Sequence, residues 1–463
     1  METDLTSTPT PQLSTRRAAA LLFTCTYLLH ALMPISLQGD SRWTVPEALS
    51  LIHGRGPEMR VYAPAMAASG FYETECVGTD HVRRYPIHSL DECVGGHLYA
   101  FAPVAVPVLA APFVAALEGS LRLAAPLLMP LAKRLQRPWL TAFLSGDLAG
   151  CTTIVENLVS SIFTAGAVTA LYLAALELLP GPSALALALI FAFGTLMWSS
   201  VSRALGQHSP SIFFNAVLLL LLVRGNFGRM ASAAAGFILA FAFFVRATNA
   251  VPILVFGVYL LLELRGRVVW VIAGGLLPTI GFGWLSLHMY GSPIAPVFLP
   301  VRAGSTSLAL HSEIPRALVA NLVSPGRGLF VFMPFFLFLL NPQVWRWKMP
   351  PRFLHLRPWI CTLVVLHMLL VSTHADWWGG FSYGPRYLTD ILPWLMVLWS
   401  PVLLWMAGNR LRLVAVGAAV AVSVAIQFRG ATSIQVHRWN EVPVSVNERT
   451  DRIWDWTDPP FLR

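Results

Sequence analysis

The sequence predicts an all-α integral membrane protein with about eleven transmembrane helices. Three observations lead there. The 463 residues are 56% hydrophobic and only 12% charged, with mean hydropathy +0.63, a balance unsuited to water. Runs of roughly 20 apolar residues, enough to cross hydrocarbon about 30 Å thick, follow one another with short polar breaks. The formal charge of +9 is almost wholly arginine, since Lys133 and Lys348 are the only lysines, and the positives sit between the apolar runs. Arginine scattered in this way sets topology and offers sites for anionic ligands; it is not the stripe of a nucleic-acid binder. Strand-type alternation is missing, which argues against a barrel.

Residues 1–15 are rich in Thr, Ser and Pro without an apolar period and are expected to form a disordered cytoplasmic tail. Arg16 and Arg17 then precede the apolar run 18–37. A cleaved signal peptide is the competing reading, but no clear small-x-small cleavage site follows and more spans do, so the run is read as a retained anchor. The stretch 38–153 is the longest non-spanning segment and is extracytoplasmic under this parity. Within it 101–117 is apolar but carries Pro103, Pro107 and Pro112, each removing a backbone donor that lipid cannot replace. A re-entrant or surface-lying element is expected there, followed by an amphipathic stretch with Arg122, Lys133, Arg134 and Arg137.

Ten further spans are expected near 154–178, 183–200, 209–223, 230–246, 249–264, 268–289, 328–342, 358–373, 387–407 and 413–427. The cytoplasmic positives are then Arg16, Arg17, Arg224, Arg229, Arg265, Arg267, Arg346, Lys348, Arg352, Arg357, Arg410 and Arg412, twelve against six in the short outer loops. That bias supports the parity. Residues 16–428 make one polytopic domain, and 429–463 form an extracytoplasmic tail. Of the five cysteines, Cys25 and Cys361 lie in apolar runs and Cys151 just before one, while Cys76 and Cys93 share the first outer loop. An oxidising compartment would allow those two to pair.

The outer loops hold the chemistry. Asp40 follows the first span in Gly39-Asp40-Ser41-Arg42-Trp43, where a carboxylate can serve as a general base or a metal ligand, or simply cap the next helix. The segment 374–386 offers Trp377, Trp378 and Tyr383 as planes for sugar or acceptor, glycines for close approach, and Arg386 as a fork for phosphate. An interfacial tryptophan belt with a snorkelling arginine would need fewer glycines. Arg327 stands between Gly326 and Gly328 just before a span, and His208 lies in another short outer loop beside Arg203. Arg246 sits between two apolar runs with no real loop, an expensive position unless an anion or water receives it. No closely spaced metal-ligand signature, Walker loop or dinucleotide fingerprint occurs.

Asp40 after the first span, the loop motif 97–113, Ser324-Pro-Gly-Arg-Gly-Leu-Phe330, Trp377-Trp-Gly-Gly-Phe-Ser-Tyr-Gly-Pro-Arg386 and the tail 453–463 together resemble bacterial membrane glycosyltransferases of the GT-C superfamily, near the mannosyltransferase and aminoarabinose-transferase types. The resemblance runs over residues 16–463. It implies a GT-C-like helical fold with juxtamembrane helices in a long first outer loop, in the bacterial inner membrane. It also implies a polyprenyl-phosphate sugar donor and transfer with inversion to a glycan, lipid or protein acceptor on the outer face. Asp40 would be the catalytic base, and Arg386, Arg246, Arg327 and His208 would bind the donor phosphate. Relatives often carry a second acid beside the first, whereas Gly39 and Ser41 flank Asp40 here, so the resemblance leaves dependence on a divalent metal open. A secondary transporter or flippase for a lipid-linked anion would also place arginines near a polar cavity, though it would tend to show internal repeats, and none is visible. A non-catalytic scaffold would not gather Trp, Gly and Arg on one face.

Overall fold

The computed structural model describes residues 12–37, 39–299, 301–302, 305–306 and 312–463. Helix α1 (Gln12–Ala31) begins four residues ahead of Arg16, so 12–15 of the expected tail are helical, and 1–11 lie outside the described residues. Between α1 and the next long helices lies a small layer: α2 (Thr44–Ile52), α3 (Ala63–Ala68) and an antiparallel sheet ordered β2-β1-β3, from β1 (Thr74–Val77), β2 (Arg83–Arg84) and β3 (His97–Ala100). Cys76 on β1 and Cys93 are disulfide-bonded under this sheet.

Helices α4 (Ala105–Arg134) and α5 (Pro138–Leu144) follow, then α6 (Thr152–Leu176), α7 (Gly181–Gly194), α8 (Leu196–Ser199), α9 (His208–Arg224), α10 (Arg229–Val245), α11 (Ala250–Leu264) and α12 (Val268–Tyr290). The rest comprises α13 (Ile314–Val323), α14 (Leu329–Phe332), α15 (Pro342–Trp345), α16 (Pro351–Ser372), α17 (Leu392–Ala407), α18 (Arg410–Thr432) and α19 (Ile434–Arg438).

Length and apolarity alone pick out six unbroken runs, and packing revises that number. Helix α4 is long enough to cross, but Ala110, Val114, Leu121 and Ala132 along its length share one cluster with Val45 of α2, Leu144 of α5 and Val155, Val159 and Phe163 of the first turns of α6. Both its ends therefore stay where α6 begins, and its exposed Leu123, Leu127 and Leu131 form a stripe suited to lie on lipid. The expected surface-lying element and the amphipathic stretch are one continuous helix, running through Pro112, Pro126 and Pro130.

The 44-residue helical run Ala247–Tyr290 is instead two passes. Arg229 at the start of α10 stacks on Trp270 at the start of α12, 5.6 Å from its ring, while Phe244 and Phe282 meet near the far ends of the same two helices. α10 and α12 thus run parallel, and α11 must return between them, reversing at Arg265 with φ +46. Close contact permits this: a Cβ on Gly236 would strike the Val271 carbonyl. The α7–α8 pair, bent by 42°, and the broken stretch α14 with the 3-10 turns Pro334–Leu340 complete the bundle. Among the described residues six helical runs are long and apolar enough to cross a membrane, seven with the bent α7–α8 pair, while the spans expected near α1, α9, α10 and α14 fall on shorter or less apolar helices.

The two ends of the bundle differ. One end gathers the Arg224–Glu177 and His355–Glu263 pairs, Arg267 against the Phe227 carbonyl and Arg412 over Trp405. The other carries the sheet layer, α4 and every candidate site residue, and is called the site face below.

A candidate active site at one end of the bundle

Asp40 is held in place from both sides of its loop. Arg203, fully buried, donates to the carbonyls of His30, in the last turn of α1, and of Met33 and Ile35 just beyond it. Its own carbonyl accepts from Leu37 N at 2.8 Å. Just beyond Asp40, Ser41 Oγ donates to Glu156 Oε2 on α6 at 2.6 Å, and Leu205 N donates to the same oxygen at 3.0 Å. The loop bearing Asp40 is thus clamped between α1, α6 and the turn after α8.

Arg386 reaches that loop from the opposite wall. Gly379, Gly380 and Gly384 all have positive φ, of +75°, +59° and +69°, which folds the chain back over the bundle end; a Cβ on Gly384 would come within 2.8 Å of Phe332. Arg386 then opens the 3-10 turns Arg386–Ile391 that lead into α17. Its Nη2 donates to Asp40 Oδ2 and its Nε to His208 Nε2 at 2.9 Å. Arg246 Nη1 points at the same His208 nitrogen from 3.3 Å, and its Nε donates to Asp390 Oδ2 at 2.7 Å. The ring of Tyr387 lies 5.6 Å from the Arg246 guanidinium.

One chain of contacts therefore runs Asp40, Arg386, His208, Arg246, Asp390. It is graded in exposure: the Asp40 side chain retains 42% and Arg386 26%, whereas Arg246 retains 9% and Asp390 4%. The Arg386 guanidinium, opposed by burial, holds the Asp40 carboxyl below the usual carboxylate range, so it stays ionised. Tyr72 borders this pair; burial, and then the Asp40 charge, pushes its phenol up. Among the described residues no three His, Cys, Asp or Glu side chains converge as ligands. In this pair the Arg386 guanidinium is the group that can receive an anion.

The other sequence candidates fall elsewhere. Arg327 is fully buried and spends its donors on neutral acceptors: the carbonyls of Trp378 at 2.6 Å, Gly326 at 2.9 Å and Gly380 at 2.9 Å, and Asn440 Oδ1 at 2.8 Å. It ties the 377–380 turn to the C-terminal segment and has no edge left for a phosphate. Trp377 is 4% exposed, packed with Ala317, Ala320, Trp439, Val446 and Ile453, so it offers no face to a sugar. Tyr383 is fully buried and donates to the Ile426 carbonyl at 2.8 Å, a bond that seats the turn on α18. Trp378 is half-buried, its indole N–H bound to Asn447 Oδ1 at 2.9 Å. His208 does join the cluster, but as an acceptor for two arginines.

Sequence reasoning passed over Asp390 and Glu156. Each is a carboxylate inside an apolar run, which in a membrane protein is a site signal by default.

A separate apolar recess is lined by Phe244, Phe282, Tyr290, Pro293 and Phe298.

No family model matches the sequence, and comparison with curated proteins finds no match. Among solved structures the fold is similar to ArnT from Cupriavidus metallidurans bound to undecaprenyl phosphate, with a TM-score of 0.50 at 14% identity over 92% of this chain and 72% of that one. At that identity the likeness is one of fold, and it agrees with the GT-C-type architecture implied by the sequence motifs.

Proposed function

We propose that the chain is a membrane glycosyltransferase that moves a sugar from a polyprenyl-phosphate donor to an acceptor outside the cytoplasm. The observation that carries this reading is the half-exposed Asp40–Arg386 pair, backed by a second arginine, at one end of a bundle whose fold resembles a protein bound to undecaprenyl phosphate. A phosphate arriving at the pair competes with Asp40 for Arg386 and leaves the carboxylate free. Asp40 then takes the proton of the acceptor hydroxyl as its oxygen bonds to the anomeric carbon and the bond from that carbon to the phosphate oxygen breaks. The electron pair leaves with the polyprenyl phosphate, whose growing charge Arg386 and Arg246 receive through hydrogen bonds that strengthen as the bond breaks. Displacement from the face opposite the leaving group inverts the anomeric centre.

The site face is assigned to the outside of a bacterial inner membrane, with the N-terminus, Arg224, Arg267 and Arg412 in the cytoplasm. The arginine bias and the disulfide between Cys76 and Cys93 support that orientation. The test uses purified full-length protein in lipid nanodiscs with a mixture of radiolabelled polyprenyl-phosphate sugars and cell-envelope acceptors. Release of polyprenyl phosphate coupled to labelling of an acceptor is the expected outcome. A protein that neither binds undecaprenyl phosphate nor releases it from any sugar conjugate would sink the reading.

A further inference from the structure

We propose that Asp390 is a positioning residue for the phosphate site, acting through Arg246; the inference rests on reading the site as one that takes a polyprenyl phosphate. Asp390 is 3% exposed within an apolar stretch, where an isolated carboxylate is costly. Its oxygens are filled from two other parts of the bundle. Ser211 Oγ on α9 donates to Oδ1 at 2.9 Å, while Thr248 Oγ1 at 2.8 Å and Arg246 Nε at 2.7 Å donate to Oδ2. Behind Ser211 the network continues: Asn249 Nδ2 donates to Ser211 Oγ at 2.9 Å, Asn215 Nδ2 to Asn249 Oδ1 at 2.8 Å, and Trp394 Nε1 to Asn215 Oδ1 at 3.0 Å. A buried polar network satisfied in this way is rigid, and it ends at an arginine.

Its consequence is direction. A guanidinium is a flat fork, so fixing Nε to Asp390 decides where the far edge points. That edge, at Nη1, meets His208 Nε2, the nitrogen already held by Arg386 Nε. A ring nitrogen approached by two N–H donors carries no proton, so by the logic of the network the proton is on Nδ1. There it is donated to Thr389 Oγ1 at 2.8 Å, and Thr389 in turn donates to the Arg386 carbonyl at 2.7 Å. His208 is therefore a neutral spacer between two cations, and the carboxylate beneath sets their separation. Among the described residues Arg246 Nη2 and Arg386 Nη1 donate to no protein acceptor, which leaves these groups for the oxygens of one phosphate.

The experiment measures the Kd of undecaprenyl phosphate for folded full-length protein in nanodiscs, with Asp390→Asn, Thr248→Val, Arg246→Gln and the Asp390→Asn/Arg246→Gln pair. By analogy with outer partners that orient metal ligands, Asp390→Asn raises Kd about 10–100-fold. In the double variant the loss is no greater than in Arg246→Gln alone, because the carboxylate acts through that arginine. Should Asp390→Asn not fold, Thr248→Val keeps the shape, removes one hydroxyl from Oδ2, and is expected to raise Kd several-fold. A merely structural Asp390 would lower the thermal midpoint yet leave the Kd of the folded fraction unchanged, or give losses that multiply in the double variant; either result overturns the proposal. Wild-type protein that fails to bind undecaprenyl phosphate overturns the functional reading, and this inference falls with it. Wild-type binding with unchanged variants overturns the positioning role alone.

Discussion

Arg327 and Arg386 follow glycine-bearing turns at the same end of the bundle, and on sequence grounds either could hold a phosphate. Their surroundings separate them. Arg386 meets a carboxylate and a histidine at a half-open mouth, whereas Arg327 is sealed among three carbonyls and an amide, with Trp439 5.5 Å from its guanidinium. A buried arginine whose hydrogen bonds end on neutral carbonyl oxygens is a structural clamp, since its withdrawal would strand those acceptors. An arginine paired with a displaceable acid has somewhere to go when an anion arrives. A glycine-flanked arginine in a short loop thus says only that charge and backbone meet there; the partner decides which of the two it is.

The largest effect expected from that contrast is at Asp40. Asp40→Asn keeps the shape and removes the base, so transfer falls by about 10²–10⁴-fold while undecaprenyl phosphate still binds, tighter if anything, because Arg386 is released. Near wild-type transfer in this variant would break the comparison at its centre. Arg327→Ala is the counterpart. It leaves the carbonyls of Trp378, Gly326 and Gly380 unanswered, and stability drops by roughly 2–5 kcal/mol, read as a lower unfolding midpoint in detergent. Transfer per folded molecule changes by less than about threefold, roughly 0.6 kcal/mol; a larger loss would return Arg327 to the phosphate site. Arg386→Lys tests the fork more gently. The charge remains but one nitrogen cannot serve His208 and a phosphate together, so the donor KM rises about tenfold, near 1.4 kcal/mol.

The fold was legible because hydrocarbon imposes one requirement on a pass, a long apolar helix, and six or more helices of that kind stand where apolar runs were expected. Proline content argued against a crossing at α4, yet the prolines do not break it: the helix is continuous and packs against the first turns of α6. The site was legible in part. Asp40, Arg386, Arg246 and His208 come together from four separate segments, each marked by a polar group beside an apolar run. Trp377 and Tyr383 misled because aromatics near glycines describe a tight turn on a packed base as well as they describe a sugar platform. Asp390 was missed for the opposite reason: a single acid in a strongly apolar run looks like a span with a flaw, and only its contacts with Ser211, Thr248 and Arg246 reveal a purpose.

The smallest predicted effect concerns protons. Arg386 holds the Asp40 carboxyl below its ordinary range, so in the free protein the base stays charged as the medium is acidified. Arg386→Met removes that charge at similar length, and the carboxyl moves up. The acid limb of kcat/KM, which reports the free enzyme, therefore shifts to higher pH, and the remaining activity is lost earlier on acidification. The stability sign follows from the same linkage: a depressed folded value contributes stability above the unfolded carboxylate pKa of about 3.9 and loses it as pH falls through the folded value. The gap between wild type and Arg386→Met should accordingly narrow below that range. A carbon-13 titration of the Asp40 carboxyl reads the shift without turnover, and Arg327→Ala, whose arginine meets no acid, should leave that curve where it was. Equal curves for wild type and Arg386→Met would mean that the guanidinium does not govern Asp40, and the exchange of Arg386 from carboxylate to phosphate would lose its basis.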